Sequence, residues 1–147
     1  EVESVMSQTA RIKGITVINE TDDNIFVCAD LNSVKVVVRN LISNAVKYTS
    51  RGGRISILLK DKSMTNEGII LKVCDNGTGI PPEKQSSLFS SDEIESTPGT
   101  EDEKGTGIGL KLCYELVRIN CGTITVDSRI GEGTCFTIIL PDRKGQN

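Results

Sequence analysis

The most regular stretch of the chain runs from Leu31 to Tyr48, where Val34, Val37, Val38, Leu41, Ile42 and Ala45 gather on one side at ~100° per residue. Asn40, Asn44 and Lys47, spaced by four and then three, form a narrow polar stripe on another side, bordered by Tyr48. The run of valines at 36 to 38 favours a strand locally, but the periodicity of the whole window outweighs it and predicts a helix. Asp30 is a credible N-cap, and Thr49-Ser50-Arg51-Gly52-Gly53 ends the helix with a glycine.

Elsewhere the pattern is shorter in period. Val2 to Ile12 reads as a short helix, with Val2, Val5, Met6, Thr9 and Ile12 on one side, ended by Gly14. Ile15-Thr16-Val17-Ile18 follows as a strand, then the turn-rich 19–24, then Ile25-Phe26-Val27-Cys28-Ala29 as a second strand, so these two are expected to form a hairpin. Arg54 to Lys60 and Ile69 to Cys74 are β-branched runs joined by a polar turn, expected to pair antiparallel. Pro82 to Phe89 is a short helix. Ser90 to Lys104 is polar with Ile94 as its one large aliphatic, a composition that predicts a mobile loop. Gly105 to Leu110 opens a further helix, with Leu110, Leu112, Cys113, Leu116, Val117 and Ile119 expected toward a core and Asn120-Cys121-Gly122 at its end. Thr123 to Ser128 and Thr134 to Leu140 flank the turn Ile130-Gly131-Glu132-Gly133 as a hairpin. Helices interspersed with antiparallel hairpins predict an α+β fold, a two-layer sandwich, as one domain over 1–141 with a polar tail at 142–147.

Length and composition narrow the function. At 147 residues, 37% hydrophobic and 25% charged, the chain can bury a core without staples. A net charge of −3 with no basic run argues against nucleic acid as a partner. No apolar run approaches the ~20 residues that cross a bilayer, so no direct membrane contact is expected. Five scattered cysteines without a Cys-x-x-Cys pair read as reduced thiols of a cytoplasmic protein. Histidine is absent, which removes any imidazole base, ligand or phosphoacceptor from these residues. The start without methionine suggests a domain cut from something longer.

Three constellations carry candidate chemistry. Asp75-Asn76-Gly77-Thr78-Gly79-Ile80 puts a carboxylate at the end of an apolar strand and then removes the side chains that would keep a flat ring from the backbone. A half-buried carboxylate there wants a donor, and an adenine amino group would serve; Asn76-Gly77 also fits an ordinary hairpin turn, although Ile80-Pro81-Pro82 looks like the start of a helix. The string Gly105-Thr106-Gly107-Ile108-Gly109, preceded by Lys104, offers backbone N–H groups and a helix dipole to phosphates, or else close packing. It is neither a Walker loop nor a dinucleotide fingerprint. On the central helix, Asn44 could give Mg²⁺ a hard carbonyl oxygen, Lys47 could neutralise a phosphate and Tyr48 could flank a base; solvated surface is the plain alternative.

Taken in order, Asn-x-x-x-Asn on a helix, Asp-x-Gly-x-Gly after a strand, a polar segment and Gly-x-Gly-x-Gly at a helix start, the chain resembles the ATP-binding catalytic domain of sensor histidine kinases, in the GHKL superfamily with gyrase B, Hsp90-type chaperones and MutL. Arg39 to Thr49 looks like that family's N box, Asp75 to Ile80 its G1 box, Leu88-Phe89 its F box, Gly105 to Leu110 its G2 box, and Gly133 to Phe136 its final glycine-threonine strand. The resemblance implies the Bergerat fold, a mixed, mostly antiparallel sheet covered on one face by helices. It implies ATP and Mg²⁺ as cofactors. Asp75 would accept the adenine amino hydrogen bond, helped through water by Thr134, with Gly77, Gly79 and Ile80 shaping the base pocket. Asn44 would hold Mg²⁺, Asn40 and Lys47 would approach the phosphates, and Tyr48 would lie against adenine. Lys104, Gly105, Thr106, Gly107, Ile108, Gly109 and Leu110 would meet the triphosphate under a lid at 81–104.

Departures from that pattern matter. The lid lacks the arginines of many relatives, and Cys121 stands where glycine is common, a change expected to be structural. The hydrolysing members have a glutamate where this chain has Asn40, whose amide cannot take a proton from water, so transfer is favoured over hydrolysis. No residue is assigned a catalytic role, with Asn40 the one candidate. The resemblance implies transfer of the γ-phosphate to a histidine on a phosphoacceptor domain of the same parent, a homodimer through that domain, and a response regulator or receiver domain downstream. The parent is expected in the cytoplasm or anchored in the inner membrane. A GHKL serine kinase and a nucleotide-binding docking module are the rival readings.

Overall fold

The computed structural model describes residues 8–89 and 109–141. Five strands, β1 (Thr16–Thr21), β2 (Arg54–Lys62), β3 (Gly68–Asp75), β4 (Thr123–Arg129) and β5 (Gly133–Leu140), form one sheet in the order β1-β2-β3-β5-β4. All neighbours are antiparallel except β1 and β2, which run parallel from Thr16↔Arg54 to Thr21↔Leu59. The described part of the first helix, α1, covers residues 8–12. It is followed in the chain by α2 (Leu31–Tyr48), α3 (Pro82–Gln85) and α4 (Gly109–Ile119). The predicted α+β two-layer fold and its mixed sheet are what is observed.

A parallel pair cannot be joined by a tight turn, and here the connection is α2. That corrects the expected hairpin of 15–18 with 25–29. Residues 25–28 take no strand structure, and the chain runs on to Asp30, whose carboxylate accepts from the Ser33 N–H and hydroxyl at 2.8 Å each. Those hydrogen bonds, the backbone one foremost, hold the Asp30 carboxyl below the usual range. The apolar run at 25–29 has another use, since Ile25 and Ala29 pack against the core while Phe26 is exposed.

The core lies between one face of the sheet and the helices. Period-2 alternation sends Ile69, Leu71 and Val73 of β3 and Phe136, Ile138 and Leu140 of β5 toward Val37, Leu41, Ile42, Ala45 and Val46 of α2 and Cys113 and Val117 of α4. Leu41, Ile55 and Ile138 are at most 1% exposed, each worth ~1.5–3 kcal/mol of burial. Cys113 is fully buried, and burial pushes its thiol up to about 12, so it acts as a small apolar residue and not as a nucleophile. Two expected core positions of α4 are not core. Leu112 is 42% and Ile119 73% exposed, because at ~100° per residue both fall on the side opposite Cys113 and Val117.

One cross-strand cysteine pair was not foreseen. Register places Cys74 of β3 directly opposite Cys135 of β5, Cα atoms 4.1 Å apart, so these two side chains face each other across the sheet, while Cys28, Cys113 and Cys121 stand apart. A separation of 61 residues in sequence gave no hint of that pairing.

Candidate functional site

Asp75 is the last residue of β3 and continues the core-facing series Ile69, Leu71, Val73, which turns its carboxylate toward the helical layer. Register sets it opposite Thr134. Burial raises its carboxyl above the ordinary range, and N–H donors from Gly77 (2.9 Å to Oδ1) and Thr134 oppose that rise without cancelling it. The group is therefore a desolvated acceptor with its donors supplied by backbone.

Around it, the hydroxyl and amide protons are committed. Ser128 Oγ accepts the Ile80 N–H at 2.8 Å and donates to the Gly133 carbonyl at 3.0 Å. Its single proton is thus used, so in the 2.7 Å contact with Thr134 Oγ1 the Thr134 hydroxyl is the donor. Gln85 Nε2 bridges the carbonyls of Ile80 (2.8 Å) and Ser128 (3.0 Å), tying α3 to the same turn. Sequence reasoning passed over Ser128 and Gln85. For Ser128 there was a signal, a polar residue at the core-facing step after Ile124 and Val126 of β4; for Gln85 there was none.

The turn after Asp75 has no room for side chains at two glycines. A Cβ on Gly77 would sit 2.3 Å from the Tyr48 carbonyl oxygen, and one on Gly79, at φ +76, 2.1 Å from the Arg129 carbonyl oxygen. The Thr78 N–H donates to Tyr48 O at 3.1 Å and the Gly131 N–H to Thr78 O at 2.9 Å. The turn is thus held between the end of α2 and the β4–β5 hairpin. No strand returns from Asn76-Gly77; α3 follows, so the hairpin-turn alternative is not what is seen.

On α2, Asn40 Nδ2 donates to the Val36 carbonyl at 3.0 Å, and Oδ1 faces the start of α4, where a Cβ on Gly109 would lie 3.2 Å away. Asn44 is half-buried, one turn further on, and Lys47 Nζ lies 5.0 Å from the Tyr48 ring centroid, a cation–π contact. Helix α2 therefore reaches from the α4 N-terminus at Asn40 to the Asp75 turn at Tyr48, ~12 Å along its axis. Gly109 and Leu110 begin α4 as expected; Lys104, Gly105, Thr106, Gly107 and Ile108, and the proposed lid from residue 90, lie outside the described residues. Phe89 stacks on Tyr114 (5.8 Å) and meets Phe136 edge-on (6.4 Å), which fixes the chain where it leaves α3.

Comparison with known proteins agrees with this layout. A family model described as histidine kinase-, DNA gyrase B-, and HSP90-like ATPase matches residues 29–144. The chain is 41% identical over 116 residues to the adaptive-response sensory kinase SasA of Crocosphaera subtropica, covering 78% of this chain and 29% of that protein. It is similar to the solved catalytic domain of the histidine kinase ThkA, with TM-score 0.78 and 29% identity over 96% of this chain and 88% of that one. It also resembles ThkA as solved in complex with the response regulator protein TrrA, with TM-score 0.76 and 25% identity, covering 99% of this chain and 40% of that one. The chain spans just under a third of the length of the curated relatives it matches.

Proposed function

This chain belongs to the histidine kinase-, DNA gyrase B-, and HSP90-like ATPase family, and from that premise we propose that it is the ATP-binding catalytic domain of a two-component sensor histidine kinase. It would carry the γ-phosphate of Mg·ATP to a histidine on a separate dimerisation and phosphoacceptor domain. The observation that carries this reading is Asp75, a desolvated carboxylate at a strand end whose flanking glycine positions have no space for a side chain.

Each part of the site has a task in that reading. Asp75 accepts the adenine amino group; Thr134, whose proton goes to Ser128, keeps its oxygen as an acceptor for a water or the ring's donors. Gly77, Gly79 and Ile80 form the wall against the base, and Tyr48 flanks it. Asn44 supplies the metal's protein oxygen, an arrangement suited to Mg²⁺, which keeps waters and phosphate oxygens for its other positions. Bound there, Mg²⁺ would neutralise charge on the phosphates. Asn40 and Lys47, with Lys104 and the N–H groups of Gly105 to Gly109 opening α4, align the triphosphate for in-line transfer. With no carboxylate at position 40 to take a proton from water, the chain favours transfer over hydrolysis. With no histidine among its residues, it needs an acceptor domain, and it passes the phosphoryl group on to a response regulator. Among the described residues no helix is long and apolar enough to cross a membrane.

The test is transfer from γ-labelled ATP, with magnesium, to the histidine-bearing domain of the same parent supplied in trans. The expected product loses label in acid and keeps it in base, as a phosphoramidate does. Acid-stable label would instead indicate a serine kinase, and nucleotide binding without any transfer a docking module.

A further inference from the structure

Lys13 is 2% exposed, the bulkiest of the fully buried side chains among the described residues. An ammonium in that position costs several kcal/mol unless its protons are met. They are met completely: Nζ donates to the carbonyls of Val46 (2.9 Å), Lys47 (3.1 Å) and Thr49 (3.1 Å), three donors on three acceptors. Two of these belong to the last turn of α2, where a helix leaves four carbonyls without helical partners.

Those four carbonyls are divided without remainder. Ala45 O takes the Thr49 N–H at 3.1 Å, Val46 O and Lys47 O take Lys13, and Tyr48 O takes the Thr78 N–H at 3.1 Å. The division decides which carbonyl meets the Asp75–Ile80 turn. Lys13 itself is held at the end of α1: its N–H donates to Thr9 O (3.1 Å), its carbonyl accepts the Gly52 N–H (2.9 Å), and Arg51 Nη1 donates to Ile12 O (2.9 Å). The ammonium thus sits on the negative end of α2 while its own backbone is fixed at the end of α1.

We propose that Lys13 is a positioning residue for the nucleotide site: by clamping the end of α2 it presents the Tyr48 carbonyl to Thr78 and so holds the turn that carries Asp75 and Gly77. The inference rests on the ATP-binding reading given above. There is no slack in the link, because Gly77 packs against Tyr48 O more closely than any Cβ could, and the Gly77 N–H is a donor to Asp75 Oδ1. A shift of the α2 end is therefore a shift of the Asp75 carboxylate.

The experiment compares Lys13→Met, which keeps the stem and removes the donors, with Lys13→Arg, which keeps the charge but cannot aim three protons from a single nitrogen. Ile69→Ala, a core cavity at the other end of β3 from Asp75, controls for general loss of stability. ATP affinity is measured by calorimetry at a temperature where circular dichroism finds every variant folded, together with hydrogen exchange of the Thr78 amide. The expected result is ATP binding at least ~10-fold weaker in Lys13→Met, ~2- to 10-fold weaker in Lys13→Arg, and within ~2-fold of wild type in Ile69→Ala, with faster Thr78 exchange in Lys13→Met alone. A folded Lys13→Met that binds ATP like wild type overturns the proposal and leaves the functional reading standing. Should Lys13→Met not fold, the Arg variant decides, and wild-type affinity there overturns it. If wild type itself fails to bind ATP, the functional reading falls, and unchanged Thr78 exchange in Lys13→Met then overturns the positioning role as well.

Discussion

Asp75 and Thr134 stand opposite one another across β3 and β5, with the Thr134 N–H donating to the carboxylate while its hydroxyl donates to Ser128 at 2.7 Å. Backbone holds the acid in place, so its outward oxygen is positioned before any ligand arrives. Replacing Asp75 by Asn keeps the shape and removes the charge, and offers an amide donor where a donor is to be received. A charge-assisted hydrogen bond of ~1.5–3 kcal/mol is lost, and two facing donors add to the cost. ATP affinity by calorimetry is expected to fall more than ~100-fold; an affinity within ~3-fold of wild type would remove Asp75 from the adenine site.

The same carboxylate sets a pH dependence. Its pKa is raised in the folded chain, chiefly by burial, so below the ordinary carboxyl value of 3.8 both folded and unfolded states are protonated and no penalty acts. As pH climbs from there through the folded value, the native state holds its proton longer than the unfolded one, and stability falls with rising pH. Asp75→Asn lacks that loss. Its melting temperature is expected to equal or exceed that of wild type at pH 7, with the gap closing as pH is lowered toward 4, as differential scanning calorimetry would reveal. Nucleotide binding runs the other way, since the ionised form is the acceptor: wild-type affinity should rise with pH through the same window. A gap that widens on acidification would contradict the assignment.

Two glycines near the end of α2 separate steric from conformational causes. Gly77→Ala drives a Cβ to 2.3 Å from Tyr48 O and 2.9 Å from Asp75 Oδ1, whereas Gly52→Ala meets nothing within 4 Å but holds φ +77. The first is expected to cost more than ~2 kcal/mol in urea unfolding and to abolish ATP binding. The second should cost ~1–2 kcal/mol, the penalty of a left-handed alanine, and leave affinity unchanged once the protein is folded. Equal losses of affinity would show that the turn is not the sensitive element.

These contrasts also explain what was legible in the chain. Helix α2, its Asp30 cap, the β2–β3 and β4–β5 hairpins and the Asp75 turn follow from local patterns of apolar spacing and turn chemistry, and all are observed. The parallel pairing of β1 with β2 depends on what lies beside an edge strand, which a run such as Ile25 to Ala29 does not state. The facing of Cys74 and Cys135 depends on register between distant strands. Lys13 is the sharpest case. In sequence it is a lysine before a glycine, and its burial comes only from two helix ends meeting in space.

Cys121 closes α4 in the left-handed region, φ +62, and is exposed. Its N–H donates to Arg118 O at 3.0 Å, a bond any residue can make. The side chain therefore carries the left-handed penalty with no hydrogen bond of its own among the described residues, and the expectation that this departure is structural gains a measurable form. Cys121→Gly removes the Cβ penalty but adds freedom to the unfolded chain. A net gain of ~0.5–1 kcal/mol is expected by chemical denaturation, with ATP affinity unchanged; a loss of stability would point to a role for the thiol.

Asn44 lies one turn from Asn40 on the half-buried side of α2, between the start of α4 and the Asp75 turn. A metal held there would bridge helix and phosphates, so its protein ligand should matter only when magnesium is present. Asn44→Ala removes a single carbonyl oxygen from a half-exposed helical site and substitutes the best helix former, so the fold should be unaffected or slightly stabilised. ATP affinity measured without magnesium should stay within ~2-fold of wild type. With saturating magnesium, wild type should gain affinity and the variant should not, while transfer to the acceptor histidine falls ~100-fold or more as charge on the phosphates goes unneutralised. Asn40→Ala separates the two amides, because its Oδ1 faces Gly109 and not the middle of the helix, and it should depress transfer while leaving the magnesium titration intact. An identical magnesium titration for wild type and Asn44→Ala would place the metal on other ligands.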